Sequence, residues 1–376
     1  MNTKKKILII THGFFPEQTP RAFRATELAK ELCRQGHYVT VMAPEKSNIN
    51  SLLEKYPIEF LSLGKLTWKL TKLRRLGFFS RLINKFINRI LPLFFAFPDI
   101  ELVFKINKKL KQTDRKWDLL ISIAVPYPIH WGVATIWSSN KNENNFAKLW
   151  IADCGDPYCI QENDTFQPPF YFHWIEKWFM RKVNFITVPT SDSYRGYFSE
   201  FHNKIRVIPQ GFKFDDIKKS KVIQDDIVRF GYGGSFILGK RDPSELLSFL
   251  SGLDNTINFE FHIFTTFTNM VDKFAQNDKR IVLHTPMDRV ELLEYFSGLN
   301  FVVNFSNQGT IQTPSKLIDY VIIEKPILNI VTGNLNQNDV LNFLKGDYTG
   351  QYKIPNPESY RIEEVTKSFL SLIENA

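Results

Sequence analysis

The sequence predicts a two-domain α/β protein in which each domain is a doubly wound sheet of parallel strands. Three observations carry that expectation. Near the start, the apolar run 6–11 reads as a buried strand, His12-Gly13 as its turn, 22–35 as an amphipathic helix ending at Gly36, and 38–42 as a second strand. This strand–helix–strand opening is the unit from which doubly wound domains are built. Far along the chain, 300–306 is again a short apolar run, followed by a polar loop at 307–313. A helix then begins at Pro314-Ser315, and Lys325-Pro326 stops it before the strand 327–330. Finally, 376 residues suit two domains of ordinary size, and the polar stretch 213–226 lies where a linker would divide them.

Composition narrows the class. A hydrophobic content of 43% with mixed charge argues for a globular body rather than disorder. Cys33, Cys154 and Cys159 are sparse, odd in number and without metal-ligand spacing, which suits a reducing compartment. The apolar run 7–10 is too short for a signal peptide, and the longest run, 90–98, is about half a membrane span. A cytoplasmic protein without transmembrane helices is expected. The formal net charge is +9, and most of it is concentrated in one segment.

In the first domain, 117–123 returns to strand character and leads through Val125-Pro126 to His130, with a helix expected over about 131–140. His130 would then stand near a helix N-terminus over the crevice. The strand 148–152 ends in Asp153 and Asp156, and carboxylates at strand carboxyl ends lie near the ligand crevice of such sheets. Neither a histidine nor a third carboxylate stands at ligand spacing to these two, so no metal site is expected. A helix over 172–183 and strands over 185–189 and 204–211 complete the domain.

The second domain opens on the strand 227–235, which runs into Gly233-Gly234, then Lys240-Arg241 and a helix from 242 to 253. Glycines after a strand leave backbone N–H groups open to a phosphate, and nearby cations neutralise it. Strands at 259–264 and 280–284 and a helix starting within 285–292 follow. The Pro314-Ser315 helix start offers free N–H groups and a positive dipole end to an anion. Lys316 adds a charge there, and Asp319 is placed to reach ribose hydroxyls.

At these residues the chain resembles a known family. Pro314-Ser-Lys-Leu-Ile-Asp-Tyr320 followed by Lys325-Pro-Ile-Leu328 resembles the nucleotide-sugar signature of GT-B glycosyltransferases, specifically family 4 and its branch that builds bacterial surface polysaccharides. The resemblance implies that Ser315, Lys316 and the helix N-terminus hold a donor diphosphate and that Asp319 takes the ribose. A second acidic residue of the family motif is replaced by Ile311. Gly13, Arg24 and Gly36-His-Tyr-Val-Thr-Val41 are similar to the family opening, with Gly13 implied to let donor phosphates approach. His130 partly matches a histidine that touches the donor sugar. Asp153-Cys-Gly-Asp-Pro-Tyr158 is similar to Asp-x-Arg-Asp-Pro-Trp, with Gly155 in place of the arginine and Asp156 implied to meet acceptor hydroxyls. Gly234 with Lys240 and Arg241 looks like the diphosphate clamp, although Ser235 stands where many members have arginine.

The resemblance therefore implies two Rossmann-like domains facing a central cleft. These are an acceptor domain 1–212, a linker 213–226, a donor domain 227–358 and a crossing-back helix at 359–376. It implies a retaining, metal-independent transfer from a UDP- or GDP-sugar to a lipid-linked or saccharide acceptor, with no cofactor. His130 and Asp156 are the candidate catalytic residues. The rival reading is a catalytically silent GT-B subunit that serves as a scaffold, supported by the departures at Gly155, Ser235 and Ile311. Nucleic acid is not an expected partner, because no recognised motif appears and the charge is confined.

That charge lies in 60–98, which contains no Asp or Glu but carries Lys65, Lys69, Lys72, Arg74, Arg75, Arg81, Lys85 and Arg89. Leu66, Leu70 and Leu73 form one apolar stripe, and Leu82, Ile83, Phe86, Ile87 and Ile90 form another, so two helical pieces with a break near Gly77 are expected. A basic amphipathic segment without acids points to an anionic membrane surface.

Overall fold

The computed structural model describes residues 3–17, 19–70, 78–138, 146–160, 167–306 and 315–374. For residues 78–84, 315, 316 and 318 it describes the backbone only. The chain divides into one unit formed by Met1–Phe212 with Ser359–Ala376 and a second formed by Lys213–Glu358.

The apolar runs seen in the first half become parallel strands buried on both faces. In chain order the first unit comprises β1 (Lys6–Thr11), α1 (Pro20–Arg34), β2 (Tyr38–Ala43), α2 (Asn50–Leu53), β3 (Ile58–Ser62), α3 (Phe78–Phe95), α4 (Glu101–Lys111), β4 (Trp117–Ile123), α5 (Pro128–Ala134), β5 (Ala147–Asp153), α6 (Tyr171–Lys182), β6 (Phe185–Val188) and β7 (Ile205–Val207). The sheet has seven strands in the order β3-β2-β1-β4-β5-β6-β7, with every pairing parallel. Thr19 caps α1 by accepting from the Ala22 N–H, Pro20 opens it, and Gly36 ends it at φ +83°, a left-handed turn that glycine adopts without strain.

The second unit comprises β8 (Val228–Gly233), α7 (Ser244–Ser251), β9 (Phe259–Phe264), α8 (Asp272–Asn277), β10 (Ile281–His284), α9 (Arg289–Ser297), β11 (Phe301–Ser306), α10 (Ser315–Ile323), β12 (Ile327–Val331) and α11 (Gln337–Leu344). Its five parallel strands run β10-β9-β8-β11-β12. The last helix, α12 (Ile362–Glu374), belongs to the first unit, where Ile362, Val365, Phe369 and Leu372 join the core that contains Ile7, Leu28 and Ile121. The expected α/β class of two doubly wound sheets is therefore the observed one.

Two local expectations are corrected. The helix expected at about 131–140 is α5, which instead begins at Pro128, so His130 lies inside the helix rather than before it. Proline at the first position starts the helix early. The Leu66/Leu70 stripe is not helical. Residues 65–70 form no regular element, and the Glu101 carboxylate at the start of α4 accepts from the Thr67 N–H (2.8 Å) and the Trp68 N–H (2.8 Å) and so competes with helix formation. Leu73 and Gly77 lie outside the described residues.

Candidate functional site

In an open parallel sheet, ligands bind beyond the strand carboxyl ends where the winding reverses. In the second unit that point lies between β8 and β11, because the chain moves from β8 outward to β9 and β10 and then returns to β11 on the other side. The loop after β8 contains Gly234, at φ +141°. Its N–H donates to the Phe264 carbonyl at 2.8 Å, which continues the sheet ladder. The loop then folds on itself through the Ile237 and Arg241 backbones, with Arg241 N–H to Ile237 O at 2.8 Å. Thr332, directly after β12, pins it by donating to the Lys240 carbonyl (2.8 Å) and accepting from the Asp242 N–H (3.3 Å). Lys240 and Arg241 are therefore held at one end of the second sheet. Lys240 is exposed, and Arg241 is half-buried with an Nε–H that has no hydrogen-bond partner among the described residues.

The helix α10 follows β11 into the same end. Leu317, Tyr320, Val321 and Ile322 are buried, and the Tyr320 hydroxyl donates to the Val303 carbonyl at 2.8 Å, which fixes the helix on the sheet. Asp319 faces away from this core and accepts from Arg289, with Nε to Oδ1 at 2.9 Å and Nη2 on the same oxygen. Arg289 opens α9 behind the Asp288 cap. The sequence reading missed this arginine, and nothing in its local spacing pairs it with a residue thirty positions away. The backbone of Ser315 and Lys316 forms the first turn of α10. Their side chains, and Ile311, lie outside what is described. Between β11 and β12, Asn329 Oδ1 accepts from Asn304 (2.7 Å) and from Ser306 (2.5 Å).

In the first unit the winding reverses between β1 and β4. Gly13 is buried there, and a Cβ at this position would stand 3.0 Å from the Ala22 Cβ and 3.1 Å from Glu17, so the glycine permits close approach of α1. His12, read from sequence only as a turn residue, is half-buried between Lys46 on one side and Asp99 and Glu17 on the other. Burial, with Lys46, lowers its pKa, and the two carboxylates oppose that.

His130 does not face the crevice. It has no exposed surface, shares a 2.8 Å hydrogen bond with the Ser122 hydroxyl and lies 3.4 Å from the Cys154 sulfur. Burial holds its pKa down to about 3, so the ring is neutral. The expected sugar contact by His130 is corrected on this ground: Pro128 carries the residue into the helix and turns its ring onto the core.

Asp153 is also buried. It accepts from Arg24 Nε (2.5 Å), Arg24 Nη2 (2.7 Å) and the Thr187 hydroxyl (2.6 Å). Burial would raise its pKa, but the charge and hydrogen bonds of Arg24 outweigh that and hold it below the usual carboxylate range. Arg24 also donates to the carbonyls of Pro209 (2.7 Å) and Ile208 (3.1 Å), which ties α1, β5 and the chain after β7 together. The space over Gly155 is occupied by another side chain. Arg21 from α1 lies over the glycine, 3.8 Å from Asp153, and a Cβ at 155 would fall 1.6 Å from the Arg21 Nη2. Asp156 is exposed, and its carbonyl accepts from the Tyr127 hydroxyl at 2.8 Å. Among the described residues, no group of three or more His, Cys, Asp or Glu side chains is arranged to hold a metal ion.

Of the basic segment, Lys65, Lys69, Lys85 and Arg89 are exposed. Arg81 lies on α3 with its backbone alone described, while Lys72, Arg74 and Arg75 fall outside the described residues. No described helix is long and apolar enough to cross a membrane.

No known family profile matches the chain, and no curated protein matches it. Solved structures do. A glycosyltransferase from Rickettsia africae ESF-5 superposes with a TM-score of 0.59 at 10% identity, over 99% of this chain and 98% of that one. A variant of S. aureus TarM, solved with Fondaparinux, alpha-GlcNAc-glycerol and UDP, gives 0.58 at 14% identity over 98% and 99%. The lipopolysaccharide outer core galactosyltransferase WaaB gives 0.56 at 10% identity over 98% and 99%. The chain thus carries, over nearly its whole length, the fold of the GT-B glycosyltransferases.

Proposed function

We propose that this protein is a glycosyltransferase that moves a hexosyl group from a nucleoside-diphosphate sugar to a lipid-linked or saccharide acceptor in surface polysaccharide assembly. The observation that carries this reading is the cationic loop of Lys240 and Arg241, held at the end of the second sheet from which α10 also starts. Charge develops on the leaving diphosphate as the bond between C1 and its phosphate oxygen breaks. Fixed cations and free helix N–H groups stabilise that charge without a divalent ion. The acceptor oxygen forms the new bond to C1 on the same face, and its proton passes to the departing phosphate oxygen, so the configuration is retained. Asp319, steered by Arg289, offers its carboxylate to the ribose. Asp156 and the half-buried His12 are the polar groups available to an acceptor.

A uridine donor is the first to test, since the TarM structure holds UDP, with GDP-sugars as the second choice. The assay is release of free nucleoside diphosphate from a panel of UDP- and GDP-sugars in the presence of lipid-linked and free saccharide acceptors. Release that depends on acceptor supports the reading, and none with any donor refutes it.

The exposed cations of residues 60–98 support docking on an anionic leaflet, each worth roughly 1 kcal/mol near the surface. Sedimentation with anionic but not neutral vesicles, weakened by salt, is expected. Replacing Arg81, Lys85 and Arg89 by Glu should abolish it without changing nucleotide binding.

A further inference from the structure

The basic helix α3 is poorly covered over its described side chains. None of its residues from 85 to 95 is buried, and Phe86 and Phe95 are 65% and 61% exposed. Its carboxyl end meets α6, where the Tyr171 hydroxyl donates to the Phe94 carbonyl. From there the exposed aromatic surface continues through Phe170 (68%) and Trp174 (66%), whose rings meet edge to face at 5.4 Å. On α4, Phe104 is 59% exposed and lies 5.8 Å from the ring of Trp68. Isolated exposed aromatics are ordinary, but a contiguous set along three elements marks a docking surface.

Between α4, α5 and α6 this surface opens into a groove of about 340 Å³. Ile100 and Val103 line one wall, Trp131 and Thr135 the floor, and Trp174 and Trp178 the other wall. Thr135 has its hydroxyl occupied, donating to the Gly132 carbonyl and accepting from Asn107. Trp131 is 3% exposed, and its Nε1–H has no hydrogen-bond partner among the described residues. The lining therefore suits an apolar ligand.

Charge and size identify the occupant. Residues 60–111 carry twelve Lys and Arg against Asp99 and Glu101, a net of +10 in a chain whose total is +9. Basic residues interleaved with Trp and Phe match an anionic lipid interface. An extended hydrocarbon chain is slender enough to lie in an apolar groove of this size. We propose that the groove between α4, α5 and α6 binds a hydrocarbon chain of an anionic membrane lipid, drawn from the leaflet on which α3 and the Phe170–Trp174 edge lie.

This inference rests on the membrane-facing reading of residues 60–98, and the test separates the two. Vesicles of phosphatidylcholine and phosphatidylglycerol are prepared with brominated acyl chains, which quench tryptophan on contact. A background of Trp68→Phe with Trp174→Phe removes the two exposed tryptophans and leaves Trp131 and Trp178 to report on the groove. Brominated anionic vesicles should quench this protein strongly. Val103→Glu, which sets a carboxylate in the groove, should cut the quenching at least fivefold while sedimentation changes less than twofold. Thr135→Phe, which fills the groove without charge and without a new tryptophan, should do the same. Sedimentation without quenching, or quenching that both variants retain, overturns the groove and leaves the membrane reading standing. If the protein does not sediment at all, the membrane reading falls, and monomeric short-chain brominated phosphatidylglycerol decides the groove. Quenching that Val103→Glu removes supports it, and none overturns it.

Discussion

Asp153→Asn is the substitution whose cost follows most directly from the structure. Asp153 is 1% exposed and Arg24 is 3% exposed, and the pair shares two hydrogen bonds at 2.5 and 2.7 Å. An amide keeps the shape but removes the charge and leaves the guanidinium buried without a counter-ion. Removing one partner of a buried pair costs about 3–5 kcal/mol, a large part of a domain's usual 5–15 kcal/mol. The two units need not unfold together, so one melting temperature would blur the effect. Hydrogen exchange followed by mass spectrometry resolves it. Peptides covering β5, β6 and the 208–212 turn should exchange faster by about a hundredfold or more, since every 1.4 kcal/mol is tenfold. Peptides from the second unit should not change. The pH dependence has a definite sign. Asp153 is held below its unfolded pKa, so its stabilisation is fully present above about pH 4 and is lost as pH falls through the lower folded value. The aspartate and asparagine proteins should therefore converge in acid. Less than tenfold faster exchange at pH 7 would refute the account of this pair.

The remaining expectations concern neighbouring groups. Gly155→Ala drives its Cβ into the flexible end of Arg21, so stability should fall by less than about 1 kcal/mol, while acceptor KM rises if Arg21 serves there. An unchanged KM removes Arg21 from the site. Burial raises the Glu176 carboxyl to about 7, with the Cys159 thiol and the Tyr158 and Cys159 amides facing it. Its folded pKa lies above the unfolded one, so the neutral form's stabilisation is complete below about pH 4 and is lost as pH rises through 7. Glu176→Gln should accordingly melt higher than wild type at pH 8, with a clearly smaller difference at pH 5; the same difference at both would contradict the burial argument. Transfer activity should survive excess EDTA, and loss restored by manganese or magnesium would contradict the proposed metal independence.

Much of this fold is readable because parallel strands buried on both faces have unmistakable apolar runs. Ile7–Ile10, Val302–Phe305 and the helix face of Leu317, Val321 and Ile322 all lie where their patterns place them. The cap at Thr19 and the turn at Gly36 are equally local signals. Readings that depended on distant partners did not survive. Residues 65–70 have helical spacing, but Glu101, more than thirty positions on, claims their amides. His130 looks like a site residue until α5 turns it onto Ser122 and Cys154. The pairing of Asp319 with Arg289 and the placement of Arg21 over Gly155 are facts of tertiary structure that local spacing does not encode. In the same way, α4 and α6 contribute aromatic surface beside a segment that the sequence marks by its charge and apolar stripes.

The central claim is that Lys240 and Arg241 hold a nucleotide diphosphate at the second unit. Isothermal titration with UDP and GDP, wild type against Lys240→Ala with Arg241→Ala, tests it most directly. Each charge-assisted hydrogen bond contributes about 1.5–3 kcal/mol, so the double variant should bind at least about a hundredfold more weakly. Its circular dichroism and unliganded melting temperature should be unchanged, because Thr332 grips the loop through the Lys240 backbone rather than its side chain. Equal affinity in both proteins, or no binding of either nucleotide to the wild type, would contradict the claim.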